Sequence, residues 1–240
     1  MVGRKTIGKA VMGMLFFALL PFAWAGEAEW RAHTAAGEAA VHKGDFALAE
    51  RRHQQAVAEA ESTFGGGHPN MAKSVHDLAG VHWLQHQYAR AEKLYRRSLA
   101  IREKALGESH PEVVQDLQMI GWTCAHQGRS AEAELYFKRS LAIWEKARGM
   151  QDAGIPNLLL NLSELHMLQG RHAEAEPLLT RCLDVIELTL ADKTFDHAGN
   201  LSDAAGFLEE IYKNAGRKSE VERLRQRRFA IGQKLQAQAR

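Results

Sequence analysis

The sequence predicts an all-α protein built as a row of helix pairs. Residues 96–106, RRSLAIREKAL, recur 42 positions later as KRSLAIWEKAR at 138–148. Within and between these copies, apolar residues recur at spacings of three and four, as on one face of a helix. No stretch shows the alternation of apolar and polar residues that is typical of a half-buried strand. Because one helix pair alone cannot bury its apolar face, we expect the pairs to stack on one another.

The first element, residues 1–25, is predicted to be a signal peptide. An apolar run at 10–23 is shorter than the ~20 residues of a membrane span and contains Pro21. We therefore expect an exported protein, periplasmic or secreted, with no stable membrane span after cleavage. Retention as an N-terminal anchor is the alternative. The positive start and the cleavage site come from Arg4, Lys5 and Lys9, and from Ala23-Trp24-Ala25.

Charge and cysteine content narrow the classes of partner. The leader contains three of the 31 Lys and Arg residues and none of the 29 Asp and Glu residues, which leaves 28 basic against 29 acidic residues. A net charge of −1 gives no electrostatic reason to expect a nucleic-acid partner. The two cysteines could pair in an exported protein. They fall on helices that are not neighbours in the predicted stack, which favours two buried free thiols, Cys124 and Cys182.

Five copies of a unit of about 42 residues account for nearly all of the mature chain. An Ala-Glu pair stands at the same place in four of them, at 49–50, 91–92, 133–134 and 175–176. The fifth copy is offset by 46, which indicates four inserted residues between Leu188 and His197. We predict an array over 26–240. Its repeats are expected at about 27–66, 69–108, 111–150, 155–192 and 195–237, the last including a capping helix.

Glycine and proline predict where the helices end and begin. Gly128, Gly170 and Gly216 stand where the first helix of a pair must stop, in the left-handed C′ position. His86 occupies the same column, and His tolerates positive φ better than most residues. Prolines are predicted to open first helices at Pro69 and Pro111. The fourth pair has Pro156 instead, so we expect its first helix to begin near there, about one turn late, after a looser joint.

The stretch QYARAEKLYRRSLAIREKALG at 87–107, closed by His110-Pro111, resembles a tetratricopeptide repeat. It is most similar to the 42-residue subclass typified by kinesin light chains. The resemblance is strongest over 69–148 and weakest beyond 190. It implies a right-handed superhelix, an α-solenoid of about five helix pairs, whose concave face binds peptides. It also implies that groove-facing positions lie on the first helix of each pair.

Mapped onto this chain, that resemblance gives eight candidate peptide-binding residues. Two tryptophans among them fall off the main packing stripe, and exposed aromatics beside polar groups are typical of protein-binding surfaces. Packing between adjacent repeats is the alternative for both. The groove lacks the Asn pairs and basic residues of the resembled subclass, so the resemblance gives no basis for expecting that subclass's preference for acidic peptides. The candidates are His76, Trp83, Gln118, Trp122, His126, Asn161, Glu164 and Met167.

Histidines offer the main alternative function. His82 and His86 have the i, i+4 spacing that places two imidazoles on one helical face, as metal ligands require. No third ligand has evident spacing, and His82 falls in a column where the resembled family usually has a packing Tyr. A basic final helix, about 217–237, is predicted to be a polar cap, or alternatively a dock for anionic lipid or an acidic partner.

The sequence therefore favours an exported, non-enzymatic adaptor that binds a peptide or helix of a cell-envelope protein. Gly-rich phosphate loops, HExxH and GxSxG are absent from the sequence, and neither cysteine has a base and an orienting carboxylate nearby in sequence. We expect no cofactor and no metal. The first alternative is a metal-handling or metal-dependent envelope protein using His82 and His86 with their neighbours. The second is a structural array that assembles with itself.

Overall fold

The computed structural model describes residues 7–238, with side chains over 25–237, and this part of the chain is entirely α-helical outside its turns. Ten helices and no strands occur within it, which confirms the prediction of an all-α protein. The helices are α1 (Ile7–His42), α2 (Phe46–Phe64), α3 (Pro69–Leu84), α4 (Tyr88–Leu106), α5 (Val113–His126), α6 (Ser130–Arg148), α7 (Ile155–Leu168), α8 (His172–Thr189), α9 (His197–Asn214) and α10 (Lys218–Gln238).

The structure describes the predicted signal peptide only in part. Arg4 and Lys5 lie outside the described residues, and the side chains of 1–24 are not described. Residues 7–25 form the first part of α1, which runs on to His42 without a break. Its role in export therefore stays a prediction. In the part of the chain with described side chains, no helix combines the length and the apolar character that crossing a membrane requires.

The helices form two compact units. Unit 1, residues 1–108, contains the pairs α1/α2 and α3/α4, and α2 also packs against α3. Unit 2, residues 109–240, contains α5/α6, α7/α8 and α9/α10, with α6 packed on α7 and α8 on α9. In unit 1, Trp30 of α1 is buried and its indole N–H donates to Ser74 Oγ at 2.7 Å. Side chains between neighbouring pairs thus form the core of each unit, as expected for stacked repeats.

The five turns inside the pairs share one geometry. Each has three residues, and the third donates its backbone N–H to a carbonyl five residues back, as from Arg217 to Tyr212 at 2.8 Å. The middle residue has positive φ in every case: Gly44, His86, Gly128, Gly170 and Gly216. This is a Schellman motif, which satisfies the last carbonyls of the first helix. The predicted roles of Gly128, Gly170 and Gly216 are confirmed, and so is the positive φ of His86, at 59°.

The joints between pairs use a second set of glycines. Gly65, Gly107 and Gly149 follow α2, α4 and α6 and are spaced one repeat apart, with φ between 83° and 97°. Each donates its N–H to the carbonyl four residues back. The next position of this series is Ala191 rather than glycine. There α8 instead ends at Thr189, and a seven-residue loop leads to α9. The four extra residues of the fifth copy lie within α9, which has 18 residues where α7 has 14, and not before His197 as the sequence predicted.

Proline marks two of the three predicted helix starts. Pro69 opens α3, and the His68 ring Nδ1 accepts the N–H of Asn70 at 3.1 Å. The prediction for Pro111 was wrong, because a tight turn of i→i−3 bonds follows His110 and α5 begins only at Val113. Helix α7 begins at Ile155, beside Pro156 as predicted. It is not late relative to α5, since the starts of the two helices are separated by one full repeat.

The joint before α7 is tied down, contrary to the looser joint that the sequence predicted. Asp152 Oδ1 accepts both the indole N–H of Trp144 and the backbone N–H of Gly154, each at 2.8 Å. The ring lies so close to Gly154 that an added Cβ would approach it to 2.8 Å. Trp144 occupies the position that Arg102 has in the preceding repeat, so the change within the repeated helix and the divergent loop after it belong together.

Both cysteines are buried free thiols, as predicted. Cys182 Sγ faces the carbonyl oxygen of Pro156 at 3.7 Å, and burial raises the pKa of its thiol to about 12. Ser98 makes the equivalent contact in unit 1, where its Oγ donates to the carbonyl of Ala72 at 2.9 Å. In both cases the partner lies on the preceding first helix. The small side chain lets the two helices approach closely.

Ion pairs join the basic final helix, α10, to α8 and α9. Arg225 binds Glu209 of α9 at 2.7 Å, and Arg227 binds Asp184 of α8 at 2.7 Å. Arg227 also reaches Glu187 at 2.6 Å. These ion pairs neutralise arginines that would otherwise be available to bind an anionic lipid or an acidic partner. The contacts favour the predicted role of α10 as the cap of unit 2.

Candidate functional site

The first helices of unit 1 border a cleft of about 250 Å³. Helices α1 and α3 form its sides, and α2 closes it with a histidine. We call this the unit 1 cleft, and its lining is Glu38, Val41, His42, His53, His76, Asp77, Gly80, Val81 and Leu84. His76, a predicted binding residue, is half-buried there, with its ring centroid 5.0 Å from that of Tyr95.

His53 is the most deeply buried polar side chain of the unit 1 cleft. It is 2% exposed, and its ring end lies against Gly37, where an added Cβ would come within 2.5 Å of Nε2. Its Nδ1 has no hydrogen-bond partner within the described residues. Burial lowers the pKa of His53, although the charges of Asp77 and Glu38 oppose that shift. The imidazole is therefore held neutral and keeps an unused polar atom.

Two carboxylates at the cleft share one lysine. Lys73 Nζ lies 2.7 Å from Asp77 Oδ2 and 3.4 Å from Glu38 Oε1, which links α3 to α1. Burial alone would lower the pKa of Lys73, but its hydrogen bond to Asp77 and both carboxylate charges raise that pKa above its usual value. The two acids of the cleft lining thus bind one ammonium group between them, with one negative charge in excess.

The other predicted residues of unit 1 lie at the turn between α3 and α4. Trp83 is half-buried outside the cleft lining, 6.3 Å from the ring of Tyr88. His82 Nδ1 pairs with Gln87 Oε1 at 3.0 Å, and His86 Nδ1 pairs with the Tyr88 hydroxyl at 2.8 Å. The two histidines that could bind a metal therefore engage different partners. Neither belongs to a group of three potential ligands in the part of the chain that the structure describes.

In unit 2, a tryptophan joins two successive first helices. Trp122 of α5 is half-buried, and its ring centroid lies 5.2 Å from that of Phe137. Its indole N–H donates to Asn161 Oδ1 of α7 at 3.2 Å. Gly121 makes room for this packing, since an added Cβ would lie 2.5 Å from Phe137. The tryptophan therefore packs between repeats while part of its ring stays accessible.

The remaining predicted residues of unit 2 surround that tryptophan or follow it along α7. His126 is exposed, with its ring 6.4 Å from Trp122. Burial raises the pKa of Glu164, and the charge of Asp203 on α9 adds to the shift. Met167 packs against the core, with its sulfur 3.4 Å from His172 Nδ1. Gln118 keeps a buried Nε2 without a hydrogen-bond partner in the described residues.

An arginine joins two successive helix pairs of unit 2. Arg171 binds Glu134 of the preceding pair at 2.6 Å and also binds Glu174 of its own pair. Ligand atoms of Glu134, His166 and Glu174 lie within 4.8 Å of one another, yet both carboxylates are already held by this guanidinium. Hydrogen bonds from Arg171 and Lys138 lower the pKa of Glu134 to about 2. The arrangement stabilises the stack of repeats.

Sequence reasoning missed the acidic and buried part of the unit 1 cleft. Glu38 lies in the same column of the repeat as Gly80 and Trp122, so the repeat alignment could have identified it. His53 gave no such signal, because it is on a second helix and reaches the cleft only through the close approach at Gly37.

Comparison with known proteins agrees with this architecture. Tetratricopeptide-repeat models match residues 31–104 and 72–146, and a further one matches 157–199. The chain is a tetratricopeptide-repeat protein. These matches cover more than half of its length and include the helices that carry the unit 1 cleft. No curated protein sequence gives a significant match.

Solved structures place this tetratricopeptide-repeat protein with the kinesin-light-chain-like kind of repeat fold. A kinesin light chain-type protein of Podosopora anserina with nearly identical TPR-like repeats has 23% identity and a TM-score of 0.67, over 86% of this chain and 96% of that one. BtubC from P. vanneervenii has 19% identity and a TM-score of 0.70, over 86% and 91%. Aspartyl phosphate phosphatase F from Bacillus subtilis has 14% identity and a TM-score of 0.75, over 92% and 55%.

Proposed function

We propose that this tetratricopeptide-repeat protein is an exported, non-enzymatic scaffold that binds an extended peptide or a helix of a cell-envelope protein. The binding surfaces would be those of the first helices, α1 and α3 in unit 1 and α5, α7 and α9 in unit 2. The observation that carries the proposal is the state of Trp122. It is only partly buried, and it is held by Phe137 and Asn161.

A tryptophan held in this way suits binding. Aromatic side chains supply much of the energy of protein interfaces, and fixing them in advance reduces the entropy that is lost on binding. Exposed His126 and half-buried Glu164 offer polar groups on the same first helices. This is the mixture of an apolar anchor and polar neighbours that is typical of protein-binding surfaces.

A scaffold also fits the chemistry of the thiols better than an enzyme does. A nucleophilic cysteine needs a lowered pKa and access to substrate. Cys182 is buried and its pKa is raised to about 12. Cys124 is buried as well.

Export rests on the leader at 1–25. N-terminal sequencing of the protein recovered from its native cells should find Gly26 as the first residue. Recovery of the intact leader on a membrane-associated chain would contradict cleavage and support the retained anchor.

Photo-crosslinking in native cells tests the binding surface. A photoreactive phenylalanine analogue replaces exposed His126 on α5, and in the control it replaces Leu135, which is 68% exposed on α6. We expect a discrete crosslinked protein, identified by mass spectrometry, from position 126 and not from 135. Equal crosslinking from both positions, or crosslinking from 135 alone, would contradict the assignment to the first helices.

A further inference from the structure

We propose that the unit 1 cleft binds the cationic side chain of a lysine or arginine on the partner, so that the partner is a basic peptide segment. This inference rests on the proposed function, because it names the chemistry of the peptide. It is carried by three features of the cleft: two carboxylates, a buried histidine with an unused nitrogen, and an apolar wall beside them.

The carboxylates show that the site accepts an ammonium group. Lys73 Nζ already lies 2.7 Å from Asp77 and 3.4 Å from Glu38. One lysine between two acids leaves one negative charge uncompensated. Glu38 is exposed and forms the longer of these two contacts, so it is the acid that an incoming cation can engage. Charge-assisted hydrogen bonds of this type are stronger than neutral ones.

The histidine has a ring nitrogen without a hydrogen-bond partner in the described residues. His53 is only 2% exposed, lines the unit 1 cleft, and has no hydrogen-bond partner at Nδ1 within the described residues. Buried polar atoms in proteins are nearly always paired, so an unpaired one in a side chain that lines a cavity points to a missing partner. In one tautomer of the neutral ring Nδ1 accepts a hydrogen bond, and the N–H groups of lysine and arginine can donate it.

The wall of the unit 1 cleft suits the stem of a long basic side chain. Val41, Val81 and Leu84 contribute apolar surface, and Gly80 leaves space between them. A Cβ added at Gly80 would meet only the Tyr95 hydroxyl, at 3.6 Å. Lysine and arginine commonly bury their methylene stems against such surfaces while the charged end reaches polar groups.

Unit 2 carries the same sign of charge on its first helices. Glu164 of α7 is half-buried, and the charge of Asp203 on α9 helps to raise its pKa. A cation close to Glu164 would stabilise its ionised form. Each unit therefore offers acidic side chains on its first helices, independently of the other, to a partner with spaced basic residues.

A titration with single side chains tests the cleft directly. The probes are Nα-acetyl-lysine-N-methylamide and its arginine counterpart, and the control is the norleucine compound, which has the stem without the charge. We expect the NMR signals of the His53 and His76 rings to shift saturably with both cationic probes. The norleucine compound should bind at least tenfold more weakly. No saturable shift, or equal binding of norleucine, would overturn the proposal.

Two sets of variants locate the binding. Glu38→Gln with Asp77→Asn should weaken the lysine probe at least fivefold, whereas Glu29→Gln with Glu61→Gln, which removes two exposed carboxylates of unit 1, should leave it unchanged. Gly80→Leu should block the cleft while keeping or raising the melting temperature, because leucine favours helix over glycine. Gly232→Leu, on α10, controls for that substitution. Undiminished binding to a folded Gly80→Leu variant would overturn the proposal.

A zinc titration tests whether the cleft is a metal site instead, because three histidines line it. If one equivalent of zinc chloride shifts the same His53 signals and displaces the lysine probe, the cleft is a metal site and the proposal is overturned. Zinc that leaves those signals unchanged supports it. Failure of the lysine probe together with retained crosslinking at position 126 would reject this inference and leave the proposed function intact.

Discussion

Units 1 and 2 carry different side chains at positions that the 42-residue repeat makes equivalent. Unit 1 has Gly80 where unit 2 has Trp122. Beside Gly80 the surface opens into a cleft lined by acids and histidines, whereas at Trp122 an indole ring takes up the space and bonds to Asn161. One backbone pattern therefore presents an open acidic cleft in one unit and an aromatic anchor in the other.

Two further pairs of equivalent residues show the same division. Arg102 is buried and donates a hydrogen bond to Ser98 on its own helix. The indole N–H of Trp144 instead donates to Asp152 in the loop that follows the helix. His86 holds a positive φ of 59° where Gly128 has 76°. The repeat retains the course of the backbone while side chains change, so function has to be sought where equivalent side chains differ.

The largest expected effect comes from removing the anchor of unit 2. Trp122→Ala deletes the packing on Phe137 and the bond to Asn161, and we expect the free energy of unfolding to fall by about 3 kcal/mol. Urea denaturation measures it. Leu135→Ala, at an exposed site of α6, is the control and should change stability little. A loss below about 1 kcal/mol for Trp122→Ala would show that the ring is not held as described.

Replacing Trp144 by the arginine that unit 1 has at the equivalent position should lower the free energy of unfolding less than Trp122→Ala does. Trp144→Arg leaves Asp152 without the indole donor and removes the ring from Gly154, with an expected loss of about 2 kcal/mol. The effect should be strongly non-additive with Asp152→Ala, because both substitutions break one contact. Simple additivity in urea denaturation would contradict the coupling between this helix and its loop.

Acid should weaken unit 1 through His53. Burial holds its folded-state pKa below the ordinary value of 6.5. The charges of Asp77 and Glu38 raise this pKa, and the charge of Lys73 lowers it, but burial has the largest effect. The unfolded chain therefore binds a proton first, and stability should fall as the pH drops through 6.5 and level off below the folded-state pKa. His53→Gln should flatten that part of the stability curve. An unchanged slope between pH 7 and 5 would contradict a neutral buried ring.

The smallest change concerns the turn. His86→Gly relieves the left-handed conformation that His86 adopts and should raise stability by about 1 kcal/mol. Gln85→Gly, at the preceding residue with φ of −84°, should instead lower it. Thermal melting distinguishes the two. Destabilisation by His86→Gly would mean that the bond to the Tyr88 hydroxyl outweighs the backbone strain.

Most of the fold could be predicted because its signals are local. Periodic apolar residues determine the helices, and Gly128, Gly170 and Gly216 mark the turns through their own φ angles. Pro111 misled because a tight turn can follow proline before the helix begins. The joint at Trp144 was missed because the tryptophan and Asp152 are eight residues apart, a spacing that no helical or strand pattern predicts.

The proposed binding surface was only partly predictable. His76 and Trp122 could be placed by their columns in the repeat. The unit 1 cleft needs side chains from three helices, and the position of His53 depends on the absence of a Cβ at Gly37. Such a contact joins residues on different helices through shape alone, and a single sequence carries no pattern for it.

Selection of peptides from a random display library tests the central claim, that the first helices form the binding surface. Selected peptides are synthesised and titrated against the wild type, His126→Glu on α5 and Leu135→Glu on α6, two exposed sites given the same charge. We expect affinity to change at least fivefold for His126→Glu and not for Leu135→Glu. Affinity that changes only with Leu135→Glu, or equally with both, would contradict it.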